Sequence, residues 1–147
     1  MLTIFYRSTV VCPISRREVE RIASLAARQE KKIKGQIDIT VMGDAAIRSL
    51  NKRYRGKNQT TDVLSFAWGE DQTMPSAYLG QVYLSYPQIR RQARAFQASV
   101  KEEFARMLVH GLLHIAGHDH VRSREAKRMF SLQEKIIAPA RLSVKRF

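Results

Sequence analysis

Residues 104–120 read FARMLVHGLLHIAGHDH, and this stretch predicts both the centre of the core and the candidate site. With about 100° between successive residues of a helix, its apolar side chains fall on two opposite faces. One face carries Phe104, Leu108, Leu112 and Ile115, and the other carries Val109, Leu113 and Ala116. A helix that is apolar on nearly all sides is a buried helix, so we expect the rest of the chain to pack around it.

The histidines of the chain all lie between residues 110 and 120. His110 and His114 are four residues apart in the polar gap of the buried helix, where each imidazole needs a partner. Gly117 tolerates a positive φ and can end the helix, so that the chain turns back and brings His120 to the same point. One shared metal ion would satisfy all these rings. The spacing therefore predicts a metal site with the ligands His110, His114 and His120.

This spacing also matches the ligand skeleton of HExxHxxGxxH metalloproteases. The residue after the first histidine is Gly111, however, and not the glutamate that serves those proteases as general base, so peptide hydrolysis is disfavoured. Three imidazoles suit zinc best, although other first-row metals are possible. Three ligands and an open position for water form the catalytic arrangement, in which the water can attack an ester or a phosphodiester.

The composition places the chain among cytosolic proteins with a polyanionic partner. Its 147 residues fit one domain over 1–147, and the single cysteine, Cys12, excludes an internal disulfide and favours a reducing compartment. No apolar run is long enough to span a membrane, and the N-terminus lacks the features of a signal peptide. The net charge of +13 favours nucleic acid over a membrane surface, because no basic helix has the aromatic face of an interfacial anchor. The alternative is a generic basic surface.

The remaining patterns predict an α+β domain with a roughly four-stranded mixed sheet and about five helices. Strands are predicted at 2–7, 36–41, 62–67 and 79–84, with a loop over 69–77. Capping boxes at Ser15, Ser85 and Ser99 open helices that end near Lys34, Ala98 and Ala116. A further helix is capped by Asp44 and runs to about Tyr54, and a last one runs from about Ser123 to Ile137, before Pro139.

Several stretches together resemble a known family. HGLLHIAGHDH (110–120) matches the signature HGxLHxxGYDH of the YbeY-type metallo-endoribonucleases, the bacterial rRNA maturation factors. LNKRYRGKNQTTDVLSFAW (50–68) is similar to that family's LNxxYRxxxxxTDVLSF, and LGQVYLS (79–85) to its LGDIxIS strand. REAKRMFSLQEKII (124–137) resembles the helix that follows the metal motif.

The resemblance implies a single α+β domain with zinc in a cleft between helix and sheet, at the C-terminal end of the buried helix. It implies a cytoplasmic, zinc-dependent endoribonuclease specific for single-stranded RNA. The family acts in maturation of the 3′ end of small-subunit rRNA and in ribosome quality control. The implied partners are single-stranded RNA, small-subunit rRNA and ribosomal proteins, with neither DNA nor a membrane expected. The implied ligands are again His110, His114 and His120, with one zinc ion per chain, and the family's functional arginine corresponds to Arg55.

The residues themselves support a role for Arg55. Residues 45–61 contain five basic side chains and no acid, and a guanidinium can hold the negative charge of a phosphodiester transition state. Glycine at position 56 leaves room for a phosphate.

Accessory positions are predicted around this site, and two of them depart from the family pattern. Gln81 stands where the family has aspartate, and His118 stands where it has tyrosine. His118 is a spare ligand, a proton shuttle, a stacking ring or an exposed loop residue. Asp119 either orients a ligand imidazole or stabilises the turn.

Three hypotheses follow. The first is the metal-dependent endoribonuclease. The second is a non-catalytic RNA-binding assembly factor with a structural metal, which the positive charge fits equally well. The third, a metalloprotease, has the ligand spacing and lacks the glutamate.

Overall fold

A computed structural model describes residues 2–68 and 77–145, with side chains as far as residue 139. Within these residues the chain forms four strands and five helices, which confirms the predicted α+β class. In chain order they are β1 Leu2–Ser8, α1 Arg16–Gln29, β2 Gly35–Met42, α2 Asp44–Arg55, β3 Val63–Ala67, β4 Tyr78–Ser85, α3 Tyr86–Ala95, α4 Val100–Ile115 and α5 Ser123–Lys145. The predicted loop over 69–77 lies, except for Ala77, outside the described residues.

The strands form one mixed sheet in the order β1-β2-β4-β3. β1, β2 and β4 are parallel, and β3 runs antiparallel to β4 at the edge. Helix α1 makes the crossover that two adjacent parallel strands require between β1 and β2. The predicted mixed sheet is therefore confirmed, with β3 as its edge strand on the side away from β1.

The inner face of the sheet carries the main core. Ile39 lies opposite Val82, and Val41 lies opposite Leu84, and all four are fully buried. Helices α1 and α4 pack over this face with α3 beside α4, and α5 packs against α4 and α1. Helix α4 is the centre of the group, as its all-round apolar pattern predicts, because Phe104, Leu108, Leu112 and Leu113 have no exposed surface.

The outer face of the sheet is only partly covered. Helix α2 places Ile47 against Met42 and Leu64 in a second, smaller cluster. On the same face, Phe66 and Tyr83 pack at the border of that cluster and remain half-buried. Phe5 of β1, on this face, is 51% exposed.

The predicted helix starts are found at the predicted serines. Ser15 accepts a hydrogen bond from the backbone N–H of Glu18, whose carboxylate accepts one from the N–H of Ser15. At the starts of α3 and α4, the hydroxyl oxygens of Ser85 and Ser99 accept hydrogen bonds from the backbone N–H groups of residues 88 and 102. Each cap satisfies a donor that the first turn would otherwise leave unpaired.

Helix α1 ends at Gln29, five residues before the predicted end near Lys34. The stretch beyond it consists of good helix formers, but Ile33 turns into the core and is only 2% exposed. The Glu30 carboxylate binds the Lys32 backbone N–H and the ring of His118. Tertiary contacts therefore override helix propensity here.

The predicted cap of α2 and the predicted end of the last helix are also wrong. Gly43 is the N-cap of α2, because the Asp44 carboxylate accepts hydrogen bonds from Thr60, Ser85 and Arg91 instead. Helix α5 does not stop before Pro139 but continues through it to Lys145. Proline keeps a helical φ and removes a single backbone donor, a cost that helix packing can offset.

None of the helices in 2–68 and 77–145 combines the length and apolarity that crossing a membrane requires.

Candidate metal centre

Helix α4 presents His110 and His114 beside the sheet because Gly111 lies directly against it. A Cβ at Gly111 would lie 2.8 Å from Cγ1 of Val82 and 3.1 Å from Cγ2 of Val63. From Gly111, the two histidines point roughly 60–100° to one side of the helix, whereas Leu108 and Leu112 point to the other. The leucine side is fully buried. The imidazoles therefore lie on the open side of α4, next to the edge strand β3.

The turn after α4 brings the third ring back. Gly117 has φ of 102°, and the N–H groups of Gly117 and His118 close onto the carbonyls of His114 and Leu113. This double closure is the Schellman arrangement, in which a glycine follows the helix in the left-handed conformation. The predicted helix end at Ala116 is thereby confirmed, and the chain reverses towards the helix.

His110, His114 and His120 converge on one point. One ring nitrogen from each lies within 4.8 Å of the others. The ring centroids are 4.7 Å apart for His110 and His114, 4.9 Å for His114 and His120, and 5.5 Å for His110 and His120. The Nε2 atoms of His110 and His114 are 3.2 Å apart.

The outer nitrogens of two rings have fixed partners. His114 Nδ1 lies 3.1 Å from the carbonyl oxygen of His118, which can only accept, so Nδ1 carries the proton. His110 Nδ1 lies 2.8 Å from Oε1 of Gln133, whose amide nitrogen donates to Glu134. His110 therefore also carries its proton on Nδ1. Both Nε2 atoms are therefore unprotonated, and neither can donate a hydrogen bond to the other.

Two unprotonated nitrogens 3.2 Å apart do not form a hydrogen bond and repel each other unless they share a cation. Tetrahedral zinc with Zn–N bonds of about 2.0–2.1 Å places its nitrogens roughly 3.3–3.4 Å apart. The donor set and its spacing fit zinc or a similar first-row ion. The outer hydrogen bonds are those that hold ligand imidazoles in one tautomer.

The electrostatic surroundings keep the rings of His110 and His114 neutral, which is the state that binds metal. Burial lowers the pKa of His110, partly offset by the hydrogen bond to Gln133. Burial, followed by the neighbouring charges of His110 and His120, lowers the pKa of His114 to about 4. At neutral pH protons therefore do not compete for these nitrogens.

Phe130 of α5 closes one side of the centre. Its ring stacks on His110 at 5.9 Å with an interplanar angle of 20°, and lies 6.4 Å from the ring of His120. The side chain of His120 is 47% exposed, so the centre remains open on that side. The Asp119 carboxylate accepts from the backbone N–H groups of His120 and Val121 and stabilises the turn.

The other predicted accessory residues lie apart from the converging nitrogens. His118 Nε2 is 2.6 Å from the Glu30 carboxylate, which ties the turn to the end of α1. Its backbone carbonyl, rather than its ring, contacts the centre. Gln81 is on the outer face of β4, so the sheet separates it from the histidines.

Arg55 ends α2 and reaches the edge strand. Its guanidinium donates to the carbonyl of Ser65 at 2.9 Å and lies 4.9 Å from the ring centre of Phe66. Among the described residues, no hydrogen bond joins Arg55 to the histidines. The guanidinium lies at the edge of β3, over the ring of Phe66.

Sequence reasoning missed Gln133, Phe130 and Glu30. Gln133 is 4% exposed and lies in α5 near the buried Met129 and Ile137. Gln133 could have been predicted from the sequence, because it is a polar residue within the apolar stripe of a helix. No comparable signal identified Glu30, which reaches the site across 88 residues.

Comparisons with known proteins bear on the family and the fold of this chain. The family model described as Endoribonuclease YbeY matches residues 10–141. The Endoribonuclease YbeY of Halalkalibacterium halodurans is 41% identical over 123 residues, which cover 76% of this chain and 77% of that protein. That of Bacillus subtilis is 34% identical over 131 residues, covering 82% and 83%. The solution structure of TM1509 from Thermotoga maritima matches with a TM-score of 0.64 and 21% identity, over 96% of this chain and 93% of that one, and supports the fold.

Proposed function

This chain belongs to the Endoribonuclease YbeY family, and from that premise we propose that it is a metal-dependent nuclease that cuts single-stranded RNA. The observation that carries the metal dependence is the pair of unprotonated Nε2 atoms 3.2 Å apart, with a nitrogen of His120 within 4.8 Å. These unprotonated nitrogens repel one another unless they bind a common cation.

His110, His114 and His120 would hold the metal, and zinc is the ion that three imidazoles favour. A zinc ion bound in this way supplies Lewis acidity and lowers the pKa of a coordinated water. The chain itself contributes the fixed tautomers of His110 and His114. It also supplies the opening beside His120 through which RNA can approach.

Arg55 stabilises the negative charge that develops on the phosphate. A guanidinium has five donors, and the Ser65 carbonyl engages one of them, so the remaining donors can bind phosphate oxygens bidentately. The bond to Ser65 also restricts the side chain to the edge of β3. Phosphate binding there costs less conformational entropy than it would for a free arginine.

The cellular role that fits this chemistry is rRNA processing in the cytoplasm. We assign the chain to maturation of the 3′ end of small-subunit rRNA and to ribosome quality control, with the small subunit's RNA and proteins as partners. The net charge of +13 supports a polyanionic partner of this kind. Residues 1–147 act as one metal-dependent endoribonuclease domain.

The test pairs metal analysis with cleavage of a single-stranded RNA. His114→Ala should lose both bound metal and cleavage, because it removes one of the two unprotonated Nε2 atoms. His118→Gln is the matched control within the same motif and should retain the metal. Arg55→Glu should abolish cleavage and leave the metal content unchanged.

The outcomes separate the two remaining hypotheses. A catalytic metal predicts that chelation removes mainly cleavage, whereas a structural metal in an assembly factor predicts a large loss of stability. Wild-type protein that carries stoichiometric zinc but never cuts RNA would favour the assembly factor. Unchanged cleavage by Arg55→Glu would remove Arg55 from the mechanism.

A further inference from the structure

A second concave site lies on the outer face of the sheet, between α2 and the edge strand. It has a volume of about 580 Å³ and is lined mainly by Tyr54, Phe66, Trp68, Gln81 and Tyr83. We refer to these residues as the aromatic pocket. Its volume is within the range of small-molecule binding sites, and the sheet separates it from the histidines.

The aromatic rings that line the pocket contact one another in edge-to-face packing. Phe66 packs edge-to-face against Tyr54 at 5.5 Å and against Tyr83 at 6.0 Å. Tyr54 is 55% exposed although it lies in this ring cluster. An exposed ring supported by others offers a flat, rigid face for stacking at low entropic cost.

The pocket also contains an oriented polar group. Tyr83 Oη donates to Oε1 of Gln81 at 3.1 Å, and Tyr78 Oη donates to Asp38 at 2.8 Å on the neighbouring strand. Aromatic walls with one fixed amide suit a planar, heteroatom-bearing ring better than a hydrocarbon. Nucleobases are recognised in this way, by stacking and by hydrogen bonds at their edges.

Two guanidinium groups over rings of the aromatic pocket favour an anionic ligand, and the nearby Asp38 carboxylate accepts a hydrogen bond from the Tyr78 hydroxyl. Arg55 lies 4.9 Å over the Phe66 ring, and Arg53 lies 5.4 Å over the Tyr54 ring. Residues 45–61, which include most of α2, contain five basic side chains and no acid. A base that carries a phosphate matches both the rings and the cations.

We propose that the aromatic pocket binds one unpaired base of the RNA, and that this base belongs to the nucleotide beside the phosphate that Arg55 contacts. The proposal deepens the proposed function and rests on it for the identity of the ligand. Arg55 forms the boundary, because it bonds the edge of β3 and also covers Phe66. The RNA backbone would cross this edge, with the metal centre on one side and the base on the other.

The chain provides its own probe, because Trp68 is the only tryptophan and lines the aromatic pocket. The full-length, zinc-loaded protein is mixed with a short single-stranded RNA in a stopped-flow fluorimeter, and then again in the presence of EDTA. We expect quenching of Trp68 fluorescence with equal amplitude in both conditions, since the pocket does not contain the metal ligands. An oligonucleotide of the same length made entirely of abasic sites carries the same phosphates and should not quench.

Two variants of one exposed residue provide the matched comparison. Tyr54→Phe keeps the stacking ring and should retain the affinity for RNA, whereas Tyr54→Ala should raise the Kd roughly tenfold or more. Circular dichroism and thermal unfolding establish that both variants are folded. If both variants bind equally well, or if the abasic strand quenches like RNA, the base-binding proposal is wrong.

Cleavage measurements separate this proposal from the proposed function. If Tyr54→Ala cuts RNA at the normal rate and RNA never quenches Trp68 fluorescence, the base-binding proposal is wrong and the nuclease assignment stands. Base-dependent quenching by a protein that does not cleave supports the pocket and contradicts the nuclease. Quenching by a peptide but not by RNA would reassign the pocket to a protein partner and overturn the proposal.

Discussion

The two sides of the edge strand β3 are built from opposite kinds of chemistry. On the inner side, two neutral imidazoles are held by hydrogen bonds to Gln133 and the His118 carbonyl, with burial keeping them deprotonated. On the outer side, the exposed ring of Tyr54 and the guanidinium of Arg55 face solvent.

This difference separates two requirements of a nuclease. Ligands for a metal must be fixed in position and protonation state before the metal arrives, which favours burial and dedicated partners. A surface that accepts varied RNA sequences benefits from rings and cations that tolerate different bases. The strand β3 and helix α4 connect the two sides, so substitutions can be chosen that perturb both sides, one side or neither.

The largest effect is expected for Gly111→Ala, which perturbs the contact that both sides share. The added Cβ would lie 2.8 Å from Val82 and 3.1 Å from Val63, so α4 or the strands must move. Such overpacking costs about 1–3 kcal/mol, and chemical denaturation should detect it. We expect both zinc affinity and Trp68 quenching to change, since α4 carries the ligands and the strands carry the pocket.

A second substitution provides the control for Gly111→Ala. Val82→Ala in the same chain removes the two Val82 methyl groups that lie 2.8 and 3.5 Å from the new Cβ, so the double variant should lose less stability than the sum of the two single losses. Strictly additive losses would show that the contact between α4 and the sheet does not set the position of the helix.

Gly111 also shows what the sequence can and cannot reveal. The sequence alone shows that Gly111 cannot act as a general base, because one position in the motif carries that role. The sequence does not show that Gly111 allows α4 to lie close to the sheet, since its neighbours Val63 and Val82 come from strands distant in the chain. The ligand set was predictable for the opposite reason, because all three histidines lie in one helix and the turn after it.

The ends of the helices show the same difference between features that local sequence determines and features that long-range contacts determine. The serine caps are local interactions over three residues, and the sequence places them correctly at Ser15, Ser85 and Ser99. The early end of α1 depends on Glu30 binding His118, 88 residues away, and no local pattern encodes that contact. The outer aromatic pocket likewise forms only when α2, β3 and β4 meet.

Gln133→Leu should affect the inner side alone. The leucine fits the buried position but removes the acceptor for His110 Nδ1–H, which is 2.8 Å from Oε1. Loss of such an outer partner typically lowers metal affinity about 10- to 100-fold, and a competition titration with a zinc chelator measures it. Gln133→Glu retains an acceptor for His110 but loses the donor to Glu134, so it should restore part of the affinity.

The outer side provides the internal control for the Gln133 variants. Quenching of Trp68 by RNA should be the same in wild type and in Gln133→Leu, because Gln133 lies on the inner side. Equal zinc affinity in wild type and Gln133→Leu would mean that the hydrogen bond does not orient His110.

The smallest effect is expected for Glu30→Gln, which perturbs only the support of the turn. The pKa of Glu30 is lowered, mainly by its hydrogen bond with His118 at 2.6 Å. A carboxylate whose pKa is lower in the folded state stabilises that state above its unfolded pKa of about 4.3. The stabilisation disappears as the pH falls through the folded pKa, because both states are then protonated.

The sign of this dependence makes the test specific. At pH 7, Glu30→Gln should reduce the free energy of unfolding by about 1 kcal/mol, since both side chains of the pair are only 17% exposed. At a pH well below the lowered pKa of Glu30, wild type and variant should unfold at the same urea concentration, because the carboxyl group is then neutral like the amide. A difference that persists unchanged at low pH would assign the effect to packing instead of charge. Zinc affinity at pH 7 should fall less than in Gln133→Leu, because Glu30 reaches the ligands only through the backbone of His118, whereas Gln133 bonds a ligand ring directly.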